Sequence, residues 1–124
     1  MDAQTEKLSR DFQQALKAAA QAAVELQRAG EDFSNTPHYS LIENFAHDAG
    51  VQLSCLVQAQ QAALVAVDAG PTAKCPGCGG LCRVTIESRQ VKSIDGDVEL
   101  AEAKASCSRC ERLFFPSADP AGIR

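Results

Sequence analysis

The sequence predicts an α+β chain in two parts: an N-terminal helical hairpin over residues 1–71, then a small antiparallel sheet over residues 72–124. Three observations carry this. Apolar residues recur at steps of three and four through the first part. β-branched residues crowd the second. Four of the six cysteines form two C-x2-C pairs that flank the β-rich stretch.

Residues 5–29 form the first predicted helix. Leu8, Phe12, Ala15, Ala19, Ala22, Leu26 and Ala29 recur at alternating steps of four and three, a heptad seam that lets two helices lie side by side. Alanine at four of the seven positions makes the seam thin. It fits a helix packed on its neighbour in the same chain, or a homodimer through the helices. Gly30 is the expected stop, since glycine accepts a left-handed conformation at a helix end. Residues 31–39 form a connector.

The second helix is predicted over residues 40–68. It starts either at Thr36 with Pro37 in its first turn, or at Ser40 with Glu43 completing a capping box. Its apolar stripe is Ile42, Phe45, Ala49, Leu53, Leu56, Ala63 and Val67. The stripe keeps phase across Gly50, so one continuous helix is expected, with the glycine tolerated at a cost of about 1 kcal/mol; a break at Gly50 is the alternative. Gly70-Pro71 ends it. Cys55 is expected as a small buried hydrophobe. His38 and His47 lie away from the other cysteines and are expected as surface or packing residues.

Beyond Cys82 the chain turns to strand signals. Val84 and Ile86 alternate with charged or hydroxyl neighbours, as in a half-buried strand. Asp95-Gly96-Asp97 separates Val91–Ile94 from Val98–Leu100, and Asp-Gly suits a tight hairpin turn. Two or three short antiparallel strands are expected.

Composition narrows the function. Hydrophobic residues make up 45% of the chain but aromatics only 5%, so large core-formers are few. The net charge of −4 argues against polyanion binding by the whole molecule. Residues 1–70 carry four Lys/Arg against nine Asp/Glu; residues 71–124 carry eight against seven. The opening MDAQTEKLSR is too polar for a secretory signal, and the apolar runs are short for a bilayer span. A reducing, cytoplasmic setting with no membrane association is expected, and disulfides are disfavoured there.

Cys75-Pro76-Gly77-Cys78 and Cys107-Ser108-Arg109-Cys110 are separated by 28 residues. Two thiolates three positions apart can reach one ion from a single tight turn, and two such turns joined through a sheet close a tetrahedral site. Proline and glycine in the first pair supply the turn. One structural Zn²⁺ per chain, held by Cys75, Cys78, Cys107 and Cys110, is the expectation. Iron–sulfur ligation uses the same four thiolates. A thioredoxin-like role for Cys-Pro-Gly-Cys needs a helix after the motif, where this chain has Gly79-Gly80 and strand-like sequence. Cys82 is expected as a small strand residue, outside the ligand set.

A four-thiolate zinc leaves no open position for substrate, and no other catalytic constellation accompanies it. The expectation is a non-enzymatic zinc ribbon with no small-molecule substrate. Arg83, Arg89, Lys92, Lys104, Arg109 and Arg112 are available for phosphate contact, and all but Lys104 are the expected contacts. Zinc with four thiolates adds two net negative charges, so DNA affinity must come from local clustering of these cations. A protein–protein interaction adaptor, docking a protein partner through ribbon and helices, is the alternative.

The stretches CPGCG and RQVKSIDGDVELAEAKASCSRCERLFFPSADPAGI resemble the N-terminal zinc-binding region of bacterial Kra-type insertion-sequence transposases. The matching positions are Cys75, Pro76, Cys78, Gly79, Arg89, Gly96, Val98, Leu100, Cys107, Cys110, Phe114, Phe115, Pro116, Asp119 and Gly122. Glu111 stands where the family has glycine. The resemblance covers about residues 40–124 and implies a DNA-binding front end, without the family's catalytic domain.

Overall fold

The computed structural model describes residues 2–34 and 39–116. Two helices precede a four-stranded antiparallel sheet: α1 (Ala3–Gly30), α2 (Tyr39–Asp68), β1 (Thr72–Lys74), β2 (Leu81–Ser93), β3 (Gly96–Cys107) and β4 (Arg112–Phe114). The strands lie in chain order, β1-β2-β3-β4. The chain divides into two compact units, residues 1–50 and 51–124. The boundary between these units lies inside α2, and the change of composition at Gly70-Pro71 follows the helix end.

In the first unit, Asp2 caps α1, its Oδ1 accepting the Thr5 amide at 2.7 Å. That amide holds the Asp2 carboxyl below its ordinary range. The helix stops at Gly30, but Gly30 does not take the left-handed conformation; Glu31 becomes extended and its amide still reaches the Gln27 carbonyl. Gln27 is the one buried residue of α1, and its Nε2 donates to the Leu41 carbonyl at 2.9 Å. The seam is otherwise open: Leu8, Phe12 and Leu26 are all more than half exposed. The heptad spacing expresses a helix, and none of its seam residues is buried. The polar Gln27, on the neighbouring face, makes the buried contact instead.

α2 runs unbroken through Gly50 and begins at Tyr39. Ser40 thus lies inside its first turn instead of capping it. The alternative start at Thr36-Pro37, like His38, lies outside the described residues. Gly70 closes the helix with φ +82°, its amide donating to the Val67 carbonyl. By length and composition α2 could cross a membrane, which the short apolar runs did not foretell. Its alanines, valines and leucines keep the average apolar, while the interspersed glutamines interrupt any continuous apolar run.

The second unit is built on the long β2–β3 hairpin, 13 and 12 residues rather than the short strands expected. Its turn is Ile94-Asp95, closed by the Ser93–Gly96 pair. Gly96 lies one place later than Asp-Gly pairing would put it, supplying φ +105° on entering β3. Ser93 Oγ fixes the turn, donating to the Gly96 carbonyl at 2.7 Å and accepting the Asp95 amide at 3.2 Å.

The hairpin buries opposite faces at its two ends. Near the cysteines, Cys82, Ala105 and Cys107 form the core, with Val84 and Phe114 packed on it. Near the turn, odd-numbered β2 residues turn inward. Val91 and Leu100 line a groove with Ala62, Val65 and Ala66 of α2, and Val98 is buried. Ser54 Oγ bonds Asp95 Oδ2, and Gln58 Nε2 donates to Ser93 Oγ at 3.3 Å. Twist over so long a hairpin carries the inward direction from one face to the other. Ile86, expected inside, lies between the two cores and is half exposed.

Candidate metal centre

The cysteine pairs occupy the tips of two further hairpins. β1 and β2 flank residues 75–80, and β3 and β4 flank residues 108–111. Pairing of β2 with β3 brings the tips together across the intervening residues. All four Sγ atoms of Cys75, Cys78, Cys107 and Cys110 lie within 4.8 Å of one another, and those of Cys78 and Cys107 are 3.6 Å apart. A tetrahedral zinc with bonds of about 2.3 Å requires sulfur–sulfur edges of about 3.8 Å. The cluster has the size and donor set to hold a metal ion.

The first tip is closed by two backbone bonds of 2.8 Å, from the Cys75 amide to the Gly80 carbonyl and from the Gly79 amide to the Cys75 carbonyl. This aims amides at sulfur: the Gly77 N–H donates to Cys75 Sγ at 3.3 Å. The Cys78 and Gly77 amides lower the Cys75 pKa. The second tip repeats the device, and the Cys110 amide leads in pulling Cys107 down to about 6. Such bonds favour thiolate, the form that binds metal. Cys110, hydrogen-bonded with the thiols of Cys78 and Cys75, is pushed up to about 12. Cys75 and Cys107 are buried, whereas Cys78 and Cys110 face solvent.

Each tip ends on a left-handed residue just after its second cysteine, Gly79 at φ +75° and Glu111 at φ +50°. Glu111 is the only non-glycine residue with positive φ among those described. Cys82 is buried beside the cluster but outside the set of four, and burial raises its pKa. Cys55 is half-buried on α2, its Sγ 3.7 Å from the Asp95 carbonyl. His47 is exposed and outside the cluster.

The five candidate phosphate contacts do not converge on one face. Arg89 is engaged, its Nε 2.9 Å from Glu102 Oε2. Lys104 pairs with Glu87 at 2.6 Å. These diagonal pairs relieve the direct opposition of Glu87 and Glu102 across β2 and β3. Lys92 sits opposite Asp97 near the far turn. Arg83 lies next to Cys82 on the opposite side of β2, Arg109 lies inside the second tip, and Arg112 opens β4. Arg112 reaches back over the first tip: its Nη1 would lie 3.5 Å from a Cβ placed on Gly77. Three of the five therefore gather at the cysteine end, where Lys74, which sequence reasoning passed over, precedes Cys75 on β1. Its adjacency to a ligand was the available signal.

No family model, curated protein or solved structure matches the chain.

Proposed function

We propose that the cysteine cluster holds one structural zinc ion and that residues 72–116 form a non-catalytic zinc ribbon which binds DNA through the cations at its cysteine end. The observation that carries the reading is the four-sulfur cluster itself, with backbone amides aimed at Cys75 and Cys107. Zinc suits four thiolates, and such a site is closed to substrate, so the metal would stabilise the fold without supplying catalysis. Arg83, Arg109 and Arg112 would contact phosphates; Arg89, tied to Glu102, would contribute less. The resemblance to transposase front ends favours DNA over a protein partner. The exposed α1 seam and the acidic first half favour the adaptor reading, in a cytoplasmic setting.

Metal analysis by mass spectrometry on protein purified without chelator tests the first half: one zinc per chain is expected, and iron would redirect the reading to a cluster protein. Gel shift at low salt tests the second. Arg109→Glu with Arg112→Glu should abolish the shift, while Arg89→Glu should leave most of it. No duplex binding at low salt would overturn the DNA reading and leave the adaptor.

A further inference from the structure

The sulfurs on the solvent side of the cluster are served differently from those inside. The buried sulfurs take backbone amides: Gly77 N–H donates to Cys75 Sγ at 3.3 Å, and the Cys110 amide donates to Cys107. Cys110 is exposed, and its leading hydrogen bonds are with the sulfurs of Cys78 and Cys75. Four thiolates around a divalent ion leave two net negative charges, and the excess meets solvent at Cys78 and Cys110.

Arg112 stands at that place. It opens β4 opposite Cys107, yet its guanidinium lies over the other tip. A Cβ built on Gly77 would have Cys110 Sγ at 3.4 Å, Arg112 Nη1 at 3.5 Å and Arg112 Cζ at 3.7 Å. Sulfur and guanidinium therefore adjoin one small space above Gly77. Gly77 is not among the glycines with positive φ, so its backbone conformation does not call for glycine. What glycine supplies is room: a methyl group would fit in ordinary contact, and a longer side chain in that direction would take the place of the guanidinium. Among the described residues, no carboxylate pairs with Arg112, in contrast to Arg89 and its Glu102.

We propose that Arg112 is a positioning residue of the metal centre, its guanidinium spanning the two cysteine tips and offsetting the negative charge of the metal–thiolate group beside Cys110. The proposal rests on the zinc reading of the cluster. Arginine suits the task because its charge is permanent, weakly hydrated and spread over a planar group with several donors. Partners outside the ligand set change metal affinity by about 10–100-fold, and an exposed one such as Arg112 belongs at the lower end. Arg112 would thus act on metal retention before it acts on phosphate.

Competition for zinc with a chromophoric chelator, on the full chain without nucleic acid, tests this. Wild type should take up one zinc. Arg112→Gln should bind it about 10-fold more weakly, whereas Arg112→Lys, which keeps the charge, should lose less than about 3-fold. The deficit of Arg112→Gln should shrink in about 1 M salt, which screens exposed charges beyond about 3 Å; a packing role would leave it unchanged. Cobalt(II), whose absorption reports the ligand set, should be held by four sulfurs in both variants. A wild type that binds no zinc would overturn the metal reading and the proposal with it. With zinc bound by wild type, four results would each overturn the proposal alone: equal affinity in Arg112→Gln, an equal loss in Arg112→Lys, a deficit indifferent to salt, or an altered cobalt spectrum in Arg112→Gln, which would make Arg112 part of the fold and not a counter-charge.

Discussion

The two cysteine turns solve one geometric problem with different residues. Both put a buried cysteine first and an exposed cysteine three places later, and both aim backbone amides at the first sulfur. Both then require a left-handed residue. The first turn uses Gly79, which takes φ +75° without strain; the second forces Glu111 into φ +50°. A side chain in that conformation costs about 1–2 kcal/mol. The second turn holds its shape against this because β3 and β4 close around it and its sulfurs face those of the first. The turns are unequal in local propensity and equal in geometry, so long-range closure decides the outcome.

Substitutions can break that equality or sharpen it. The largest effect is expected from Cys107→Ala, which removes the buried anchor of the strained turn. Metal stoichiometry should fall to zero and amide dispersion of the ribbon should collapse, with α1 helicity retained in circular dichroism. Next, Gly79→Glu gives the first turn the handicap of the second and should destabilise the ribbon by about 1–2 kcal/mol in denaturant titration. Glu111→Gly should act in the opposite direction, stabilising by up to about 1 kcal/mol, since relief of strain is offset by a more flexible unfolded chain. If Gly79→Glu and Glu111→Gly shift the midpoint equally little, closure and not conformation dominates at both turns. The smallest effect lies outside the ribbon. The Asp2 carboxyl is held below its ordinary pKa of 3.8, so its contribution is present above that value and fades as pH falls through the depressed pKa. Asp2→Ala should remove that acid-dependent loss of α1 helicity while leaving metal content unchanged.

The same contrast explains what could be read from sequence. Both helices and the continuity through Gly50 followed from periodicity and glycine placement, which act over a few residues. The cysteine cluster was legible because its spacing encodes a coordination number. The left-handed Glu111 was visible only as a missing glycine. The Asp-Gly signal located the hairpin but missed its register by one residue, because Ser93 secures the turn one place earlier. The inner face of α2 was missed for a deeper reason. Hydrophobicity was taken to mark the packed side, whereas small residues sit against the hairpin and larger ones face out. The candidate phosphate contacts were chosen by charge alone, which cannot reveal that Arg89 is paired with Glu102.

The switch of buried face along β2 and β3 makes parity a property of the molecule. Odd and even positions carry opposite meanings at the two ends of one strand, and β2 is exposed from Thr85 to Gln90 between them. Deleting one residue from each strand there would keep each residue beyond the cut opposite its present partner, although it would exchange hydrogen-bonded with non-hydrogen-bonded pairs. It would nevertheless turn Val91 and Leu100 away from α2, uncoupling helix from hairpin with the cysteine end intact. Deleting two from each strand would restore the phase and shorten the molecule without inverting it. The middle of the hairpin therefore behaves as an even-numbered spacer, tolerant of changes in length by twos and intolerant of changes by one.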